Sequence, residues 1–311
     1  MTTLKNRSVL LLATNKQEYF QFALNCADSV RLHNPDLPVF IATNIKVDSY
    51  EHRTDIAFLT VPENIAKLHI EAKLHIDKFL QTEETLFIDS DCLCYGDLTP
   101  VFEACGGMDV TVAGRVVPIE QYWGINLAPF ARKEFGINES IIFNGGLYYI
   151  KKNELAEQIF DKARTISVKY NEYGFNTIKN AWKNEEDLLS IAMIANGQHP
   201  IADDGRFMTD LYTDWRPSIL NVLKGERRLR NPASPAPKHR PWYPSNYSPI
   251  ILHFGGSNIK SYPYVSQSLM LKLHRNGVPV ILSGMITYIF VHIPYKSYHL
   301  IKGLIRKFKK K

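Results

Sequence analysis

The 311-residue chain is 45% apolar and 22% charged, the profile of an ordinary globular protein long enough to bury a full core, which excludes disordered and fibrous classes. Its net charge of +6 hides a split: all 31 acidic residues lie at or before Glu226, whereas residues 227–311 hold 15 lysines and arginines and no acid. An acid-free basic quarter points to an anionic partner, either a membrane surface or nucleic acid. The four cysteines, Cys26, Cys92, Cys94 and Cys105, form no Cys-x-x-Cys, and Val9–Ala13 is too short for the apolar part of a signal peptide. Reduced thiols and a cytosolic setting are expected.

In chain order, Ser8–Thr14 reads as a buried strand and Gln17–His33 as a helix with Phe22, Ala23, Cys26, Ala27 and Val30 on one face, ended by Asn34-Pro35. Val39–Thr43 follows as a second strand, so a βαβ unit and a parallel sheet are predicted. Thr14-Asn15 either contacts a nucleotide or closes a turn. Ile65–Leu80 is the next predicted helix; its Lys67 and Lys73 are six residues apart and face different ways. One of the two suits a phosphate contact with the other solvated, and the alternative for Lys73 is an i,i+4 pair with Asp77 worth a few tenths of a kcal/mol.

The apolar run Leu86-Phe87-Ile88 then stops at Asp89-Ser90-Asp91. Two carboxylates at the carboxyl end of a buried strand sit where open α/β sheets bind ligands, and alternation aims both the same way if the chain stays extended. Hard anionic oxygens suit Mn²⁺ or Mg²⁺, which in turn holds a diphosphate; the alternative is two solvated acids. Residues 106–140, with Gly106-Gly107, Gly114 and Gly124, are expected to be irregular. Ser140–Ile150 is a strand broken at Asn144-Gly145-Gly146, by a bulge or by a sugar or phosphate lying against the backbone. Asn153 caps a helix to about Tyr170, and Asn184-Glu185-Glu186-Asp187 opens another that stops at Asn196-Gly197. The three acids favour the helix dipole, and would also bind sugar hydroxyls if they face the Asp-x-Asp edge. Residues 231–249, rich in proline with Trp242, Tyr243 and Tyr247, read as an extended unpacked loop, a lid or acceptor-side wall. His253 ends an apolar run before Gly255-Gly256 and Lys260, offering a metal ligand, backbone amides and a cation, or a structural histidine.

The ordered set Thr14-Asn15, Lys73, Phe87-Ile88-Asp89-Ser90-Asp91, Gly96-Asp97-Leu98-Thr99-Pro100, Phe143-Asn144-Gly145-Gly146-Leu147, Glu185-Glu186-Asp187 and His253…Lys260 resembles GT-A glycosyltransferases. It is most like the glycogenin and bacterial lipooligosaccharide galactosyltransferase family (glycosyltransferase family 8), over about residues 8–262. The resemblance implies an α/β GT-A (nucleotide-diphospho-sugar transferase) fold with a mixed, mostly parallel sheet flanked by helices. It implies that Ala13, Thr14, Asn15 and Tyr19 hold the base and ribose of a nucleotide sugar, a UDP-sugar, and that Lys73 touches its sugar or phosphate. Asp89 and Asp91, with Ser90 between them, would join His253 in holding Mn²⁺ or Mg²⁺. Asn144, Gly145, Gly146, Glu185, Glu186 and Asp187 would line the donor sugar, and Gly256 and Lys260 would neutralise the leaving diphosphate. A hexose would pass to a glycan or lipid-linked acceptor with retained configuration. The family has Asp-Gln where this chain has Glu185-Glu186, its lysine is one position nearer the histidine than Lys260, and Tyr19 lies one position further from Asn15 than in glycogenin.

A catalytic domain over 1–270 and a tail over 271–311 are expected. Val278–Ile293, ended by Pro294, is shorter than the ~20 residues a spanning helix needs. Tyr295–Lys311 places Leu300, Ile301, Leu304, Ile305 and Phe308 at helical spacing among lysines, the pattern of a basic amphipathic helix lying on the cytosolic face of an anionic membrane. Packing on the core is the alternative. Two rival classes share single features. A haloacid-dehalogenase-type phosphatase also has Asp-x-Asp after a strand, and a non-catalytic membrane- or nucleic-acid-binding module would use the basic segment. Nucleic acid has only Arg240, Trp242 and Tyr243 in its favour and is not expected.

Overall fold

The computed structural model describes residues 6–47, 50, 53–175, 183–211, 219–236 and 239–308. Among these, strands β1 (Arg7–Ala13), β2 (Val39–Thr43), β3 (Ala57–Thr60), β4 (Glu84–Ile88), β5 (Cys92–Cys94), β6 (Val110–Pro118), β7 (Glu139–Lys151) and β8 (Ile201–Ala202) lead into shorter strands nearer the end of the chain. The main sheet runs β3-β2-β1-β4-β7-β6-β8. β3, β2, β1 and β4 are parallel, and β7 is inserted antiparallel between β4 and β6.

Both faces of the sheet are covered, which is why β1 is apolar at every central position instead of alternating. Leu10 and Leu12 point into one core and Val9, Leu11 and Ala13 into the other. Helix α1 (Gln17–His33) buries Phe20, Ala23, Cys26 and Val30 on the second face. After α2 (Glu63–Ala66) and α3 (Thr99–Cys105), helices α4 (Ile119–Phe135), α5 (Glu154–Val168) and α6 (Glu185–Ile194) pack on the first face. All four cysteines are buried free thiols.

Several expectations change. Residues 110–135 are regular: Val110–Pro118 is a strand and Ile119–Phe135 a helix closed by Gly136 at φ +69°. The glycines there mark special backbone within and between elements, not an irregular stretch. The segment expected as one helix over Ile65–Leu80 splits into α2 and a 3₁₀ run His69–Phe79, with His69 at φ +54° between them. The proline-rich loop is partly packed. Short strands β10 (Ile219–Asn221), β11 (Glu226–Arg230) and β12 (Asn246–Tyr247), numbered after β9 (Met208–Asp210), form a small sheet, and Tyr243 and Tyr247 are buried in a third core. Proline spacing conceals this, because one aromatic every few residues anchors a loop without periodicity.

Strand β13 (Ile251–His253) pairs with β5 and β9 in a separate three-stranded sheet. Helix α7 (Tyr262–Arg275) packs Tyr264, Met270 and Leu271 into the third core, so the helix runs across the expected boundary at residue 270. The apolar run and the basic helix expected on either side of Pro294 are joined. Helix α8 (Val280–Thr287), a π-helical turn at Tyr288–His292 and α9 (Ile293–Phe308) are continuous. Proline lacks the N–H that would bond to the preceding turn, and the wider π turn sits immediately before it. Among the described residues no helix is long and apolar enough to cross a membrane.

Candidate active site

The Asp-x-Asp does not arise by strand alternation. β4 ends at Ile88 and the chain turns, with the Cys92 amide donating to the Asp89 carbonyl at 3.0 Å, before β5 begins in the other sheet. The turn is fixed on both sides: the Asp89 amide donates to the Gly146 carbonyl (3.0 Å) and the Phe254 amide to the Asp91 carbonyl (3.1 Å). Antiparallel register sets His253 opposite Cys92, which carries its ring to the neighbouring Asp91. Two sheets therefore meet at Asp89–Asp91.

Against this turn lies the bulge in β7. Val112 pairs with Tyr148 but Gly114 pairs with Phe143, so Asn144–Leu147 stand against Ala113 alone. The expected bulge at Asn144-Gly145-Gly146 is there, and side chains lie close against its backbone. A Cβ on Gly145 would come within 2.9–3.1 Å of Tyr148, Glu185 and Glu186, and one on Gly146 within 3.0–3.2 Å of Asn144 and His253. A side chain at either position would make these neighbours shift.

Lys73 Nζ donates to Asp89 Oδ2 (2.7 Å) and the Gly145 carbonyl (3.2 Å), and lies 3.1 Å from Glu185 Oε1. It does not pair with Asp77, whose carboxylate is taken by Arg164 at 2.8 Å. Burial alone would lower the Lys73 pKa, but the charges of Asp89 and Glu185 outweigh it and hold it well above the ordinary value. Glu186 accepts from the Gly145 amide at 2.7 Å. Burial and the neighbouring Glu185 push its carboxyl up to about 7.

His253 Nδ1 donates to Asn144 Oδ1 (2.7 Å), an oxygen that also accepts from the Gly146 amide (3.0 Å). That fixes the tautomer and aims Nε2 at Asp91 Oδ1, 3.0 Å away. The contact has ion-pair distance but not hydrogen-bond alignment, and Asp91 Oδ1 is a buried oxygen with no hydrogen-bond partner. Two lone-pair atoms converging on one point suit a cation. The Asp91 carboxyl is depressed despite burial by His253 and Lys73, and the His253 ring is raised despite burial by Asp91. Asp91, Cys92 and His253 carry ligand atoms within 4.8 Å of one another. Asp89 stands outside this group, held by Lys73.

A cleft of about 630 Å³ opens over these groups. Thr14, Asn15, Tyr19, Lys73, Asp89, Ser90, Asp91, Glu185 and Glu186 all line it. Asn15 is at φ +68°, its amide donating to Asn44 Oδ1 and its side chain to the Ala66 carbonyl, so the turn and the cleft wall are one feature. Other expected residues fall elsewhere. Ala13 is buried in β1 behind the cleft, and Gly256 (φ +65°) and Lys260 are exposed on a 3₁₀ turn that offers Ile259 to the wall. Asp187 accepts from Tyr122 (2.5 Å) and Tyr170 (3.2 Å), and thus ties α6 to its surroundings. The sequence reading missed Lys16, Phe22, His69 and Asn184 in the wall. Lys16 was signalled by its place after Thr14-Asn15; His69 depends on a backbone break with no local marker.

No protein-family model and no curated protein matches the chain. Solved structures do. Galactosyltransferase LgtC, determined in complex with donor and acceptor sugar analogs, aligns at 16% identity and TM-score 0.51, covering 80% of this chain and 87% of that one. An active-site glutamine-to-glutamate mutant of LgtC aligns at 15% identity, TM-score 0.51 and the same coverage. The glycosyltransferase GlyE of Streptococcus pneumoniae TIGR4 aligns at 19% identity and TM-score 0.44 over 65% of this chain, which spans 46% of that protein. The order of strands, the antiparallel insertion and the cleft at the carboxyl end of β4 give this chain the GT-A fold of LgtC.

Proposed function

We propose that the chain is a metal-dependent glycosyltransferase that moves a hexose from a UDP-sugar to a glycan or lipid-linked glycan acceptor. The observation carrying this reading is that Lys73, Asp89 and Asp91 line the same cleft as Thr14, Asn15 and Tyr19, with His253 3.0 Å from Asp91. A base and ribose fit the Thr14–Tyr19 wall and a diphosphate fits the floor. Asp91 and His253 would hold Mn²⁺ or Mg²⁺, with Asp89 joining where Lys73 lets it turn. When bound, the metal neutralises charge on the departing diphosphate. Lys73 supplies a fixed cation in a partly dry site, where charge stabilisation is stronger than in water. Gly256 and Lys260, on the turn bearing Ile259, would meet the diphosphate from the outer side. Glu185 is neutralised by Lys73, which leaves Glu186 as the carboxylate facing the reacting carbon, with Asn144 setting the His253 tautomer. Retention of configuration is the outcome proposed.

Release of UDP from a panel of UDP-hexoses with Mn²⁺, together with the anomeric signal of the product, tests this reading. Turnover confined to one donor and lost in Asp91→Asn is expected; Mn²⁺-independent phosphate release from simple phosphate esters would contradict it.

The helical arm supports a further element of this reading, peripheral attachment to the cytosolic face of an anionic membrane. Ile281, Met285, Phe290, Leu300, Ile301 and Ile305 are each half or more exposed on an arm devoid of acids. Apolar side chains with lysines among them match the interface of an anionic leaflet. Co-sedimentation with phosphatidylglycerol vesicles but not with phosphatidylcholine vesicles is expected, and should fall at least tenfold in Ile289→Ser/Phe290→Ser. Unchanged pelleting of that variant would remove the arm from the account. The side chains of residues 303, 304 and 306–311 lie outside those described.

A further inference from the structure

A second cavity, of about 290 Å³, adjoins the donor cleft. Glu186 lines both, and Asn144, which holds His253, lines the second. A molecule in the second cavity therefore approaches the reacting centre from the far side of the Gly145 bulge. The inference builds on the transferase reading above. We propose that this cavity is the acceptor pocket and that Arg115 selects an acceptor bearing an anionic group, the carboxylate of a uronate or the phosphate of a sugar phosphate.

The charged groups of the pocket differ in what they already bind. Asp210 accepts two hydrogen bonds from Arg240 Nη2, at 2.9 and 2.8 Å. Asp203 accepts from Trp242 Nε1 (3.3 Å) and from the Tyr243 hydroxyl, with Arg240 Nη1 at 3.8 Å. These two acids are thus committed to the wall, and the third acid of the lining, Glu186, accepts from the Gly145 amide at 2.7 Å, its carboxyl raised by burial and by Glu185. Arg115 is different: its guanidinium carbon lies over the Trp242 ring, 3.5 Å from the centroid, and the group makes no ion pair or hydrogen bond with any described residue. The ring contact holds the group at the wall while its N–H groups have no partner among the described residues, and a guanidinium fork binds a carboxylate or phosphate by two parallel bonds. Trp242, on the same wall, adds an aromatic surface of the kind on which sugar rings pack. Arg115 lies on β6, two residues past Ala113, which faces the bulge, so the sheet itself sets its distance from Glu186.

The test is saturation-transfer NMR on the full chain with UDP and Mn²⁺ present, using methyl β-glucuronide, galactose 6-phosphate and methyl β-glucoside as probes. One or both anionic probes should bind at least tenfold more tightly than the neutral one, and the stronger identifies the acceptor's charge. Arg115→Gln should erase that preference while UDP binding is unchanged, and Arg115→Lys, with charge but no fork, should restore part of it. Equal binding of neutral and charged probes, or an anionic preference that survives Arg115→Gln, would overturn the proposal. An anionic preference that depends on Arg115 in a protein that does not bind UDP would instead refute the donor reading and, with it, the acceptor role.

Discussion

At the scale of single residues, Lys73 is the group on which the site's charge balance depends. It is mostly buried between Asp89 and Glu185. Lys73→Met leaves two carboxylates facing each other, and a buried pair stripped of one partner costs about 3–5 kcal/mol. Urea unfolding of the variant at pH 7 should show this loss, and an unchanged midpoint would contradict it. Glu186 has the opposite sense. Its carboxyl sits at about 7 in the folded chain against an ordinary 4.5, so the folded state binds the proton more tightly than the unfolded one. Stability is therefore lost as pH rises from about 4.5 to 7, by at most about 3 kcal/mol since the group borders an open cleft. Glu186→Gln should flatten this dependence, and an unchanged stability–pH profile would rule out the environment described. Residue identities at the site were largely legible: Thr14, Asn15, Asp89, Asp91 and His253 are polar groups at or just past strand ends, and Lys73 is a cation in the helical segment leading to the Asp-x-Asp strand. Arg115 was not, because its role comes from the ring stacked on it across 127 residues of chain.

At the scale of elements, strong periodicity and end signals were legible and backbone breaks were not. Asn184 shows the former, its side chain accepting from the Glu186 amide at the start of α6. Asn184→Ala should cost about 1 kcal/mol, measured by thermal unfolding. The same change should weaken donor binding, since this cap holds Glu185 and Glu186 in place; full affinity with reduced stability would limit Asn184 to a helix-end role. The strand Val110–Pro118 and helix Ile119–Phe135 were hidden because Gly114 breaks the apparent pattern. In the fold that glycine is required by contact, a Cβ there meeting the Ile142 carbonyl at 2.8 Å. His69 at φ +54°, which divides the expected helix, has no equivalent signature in sequence.

At the scale of the whole molecule, sheet order follows from the βαβ start, whereas the antiparallel β7 between β4 and β6 does not. That insertion is what brings the Gly145 bulge to Asp89, and the second sheet is what brings His253 to Asp91. Neither long-range pairing can be read from local pattern, though both meet at residues the sequence singles out. The central claim is that this junction binds a nucleotide diphosphate through a metal. The most direct measurement is calorimetric titration of UDP and UDP-sugars, with and without Mn²⁺, into the intact chain and into Asp89→Ala/Asp91→Ala. The account predicts Mn²⁺-dependent binding that is lost at least a hundredfold in the double variant. Binding equal with and without Mn²⁺, or unaltered by the two substitutions, would contradict it.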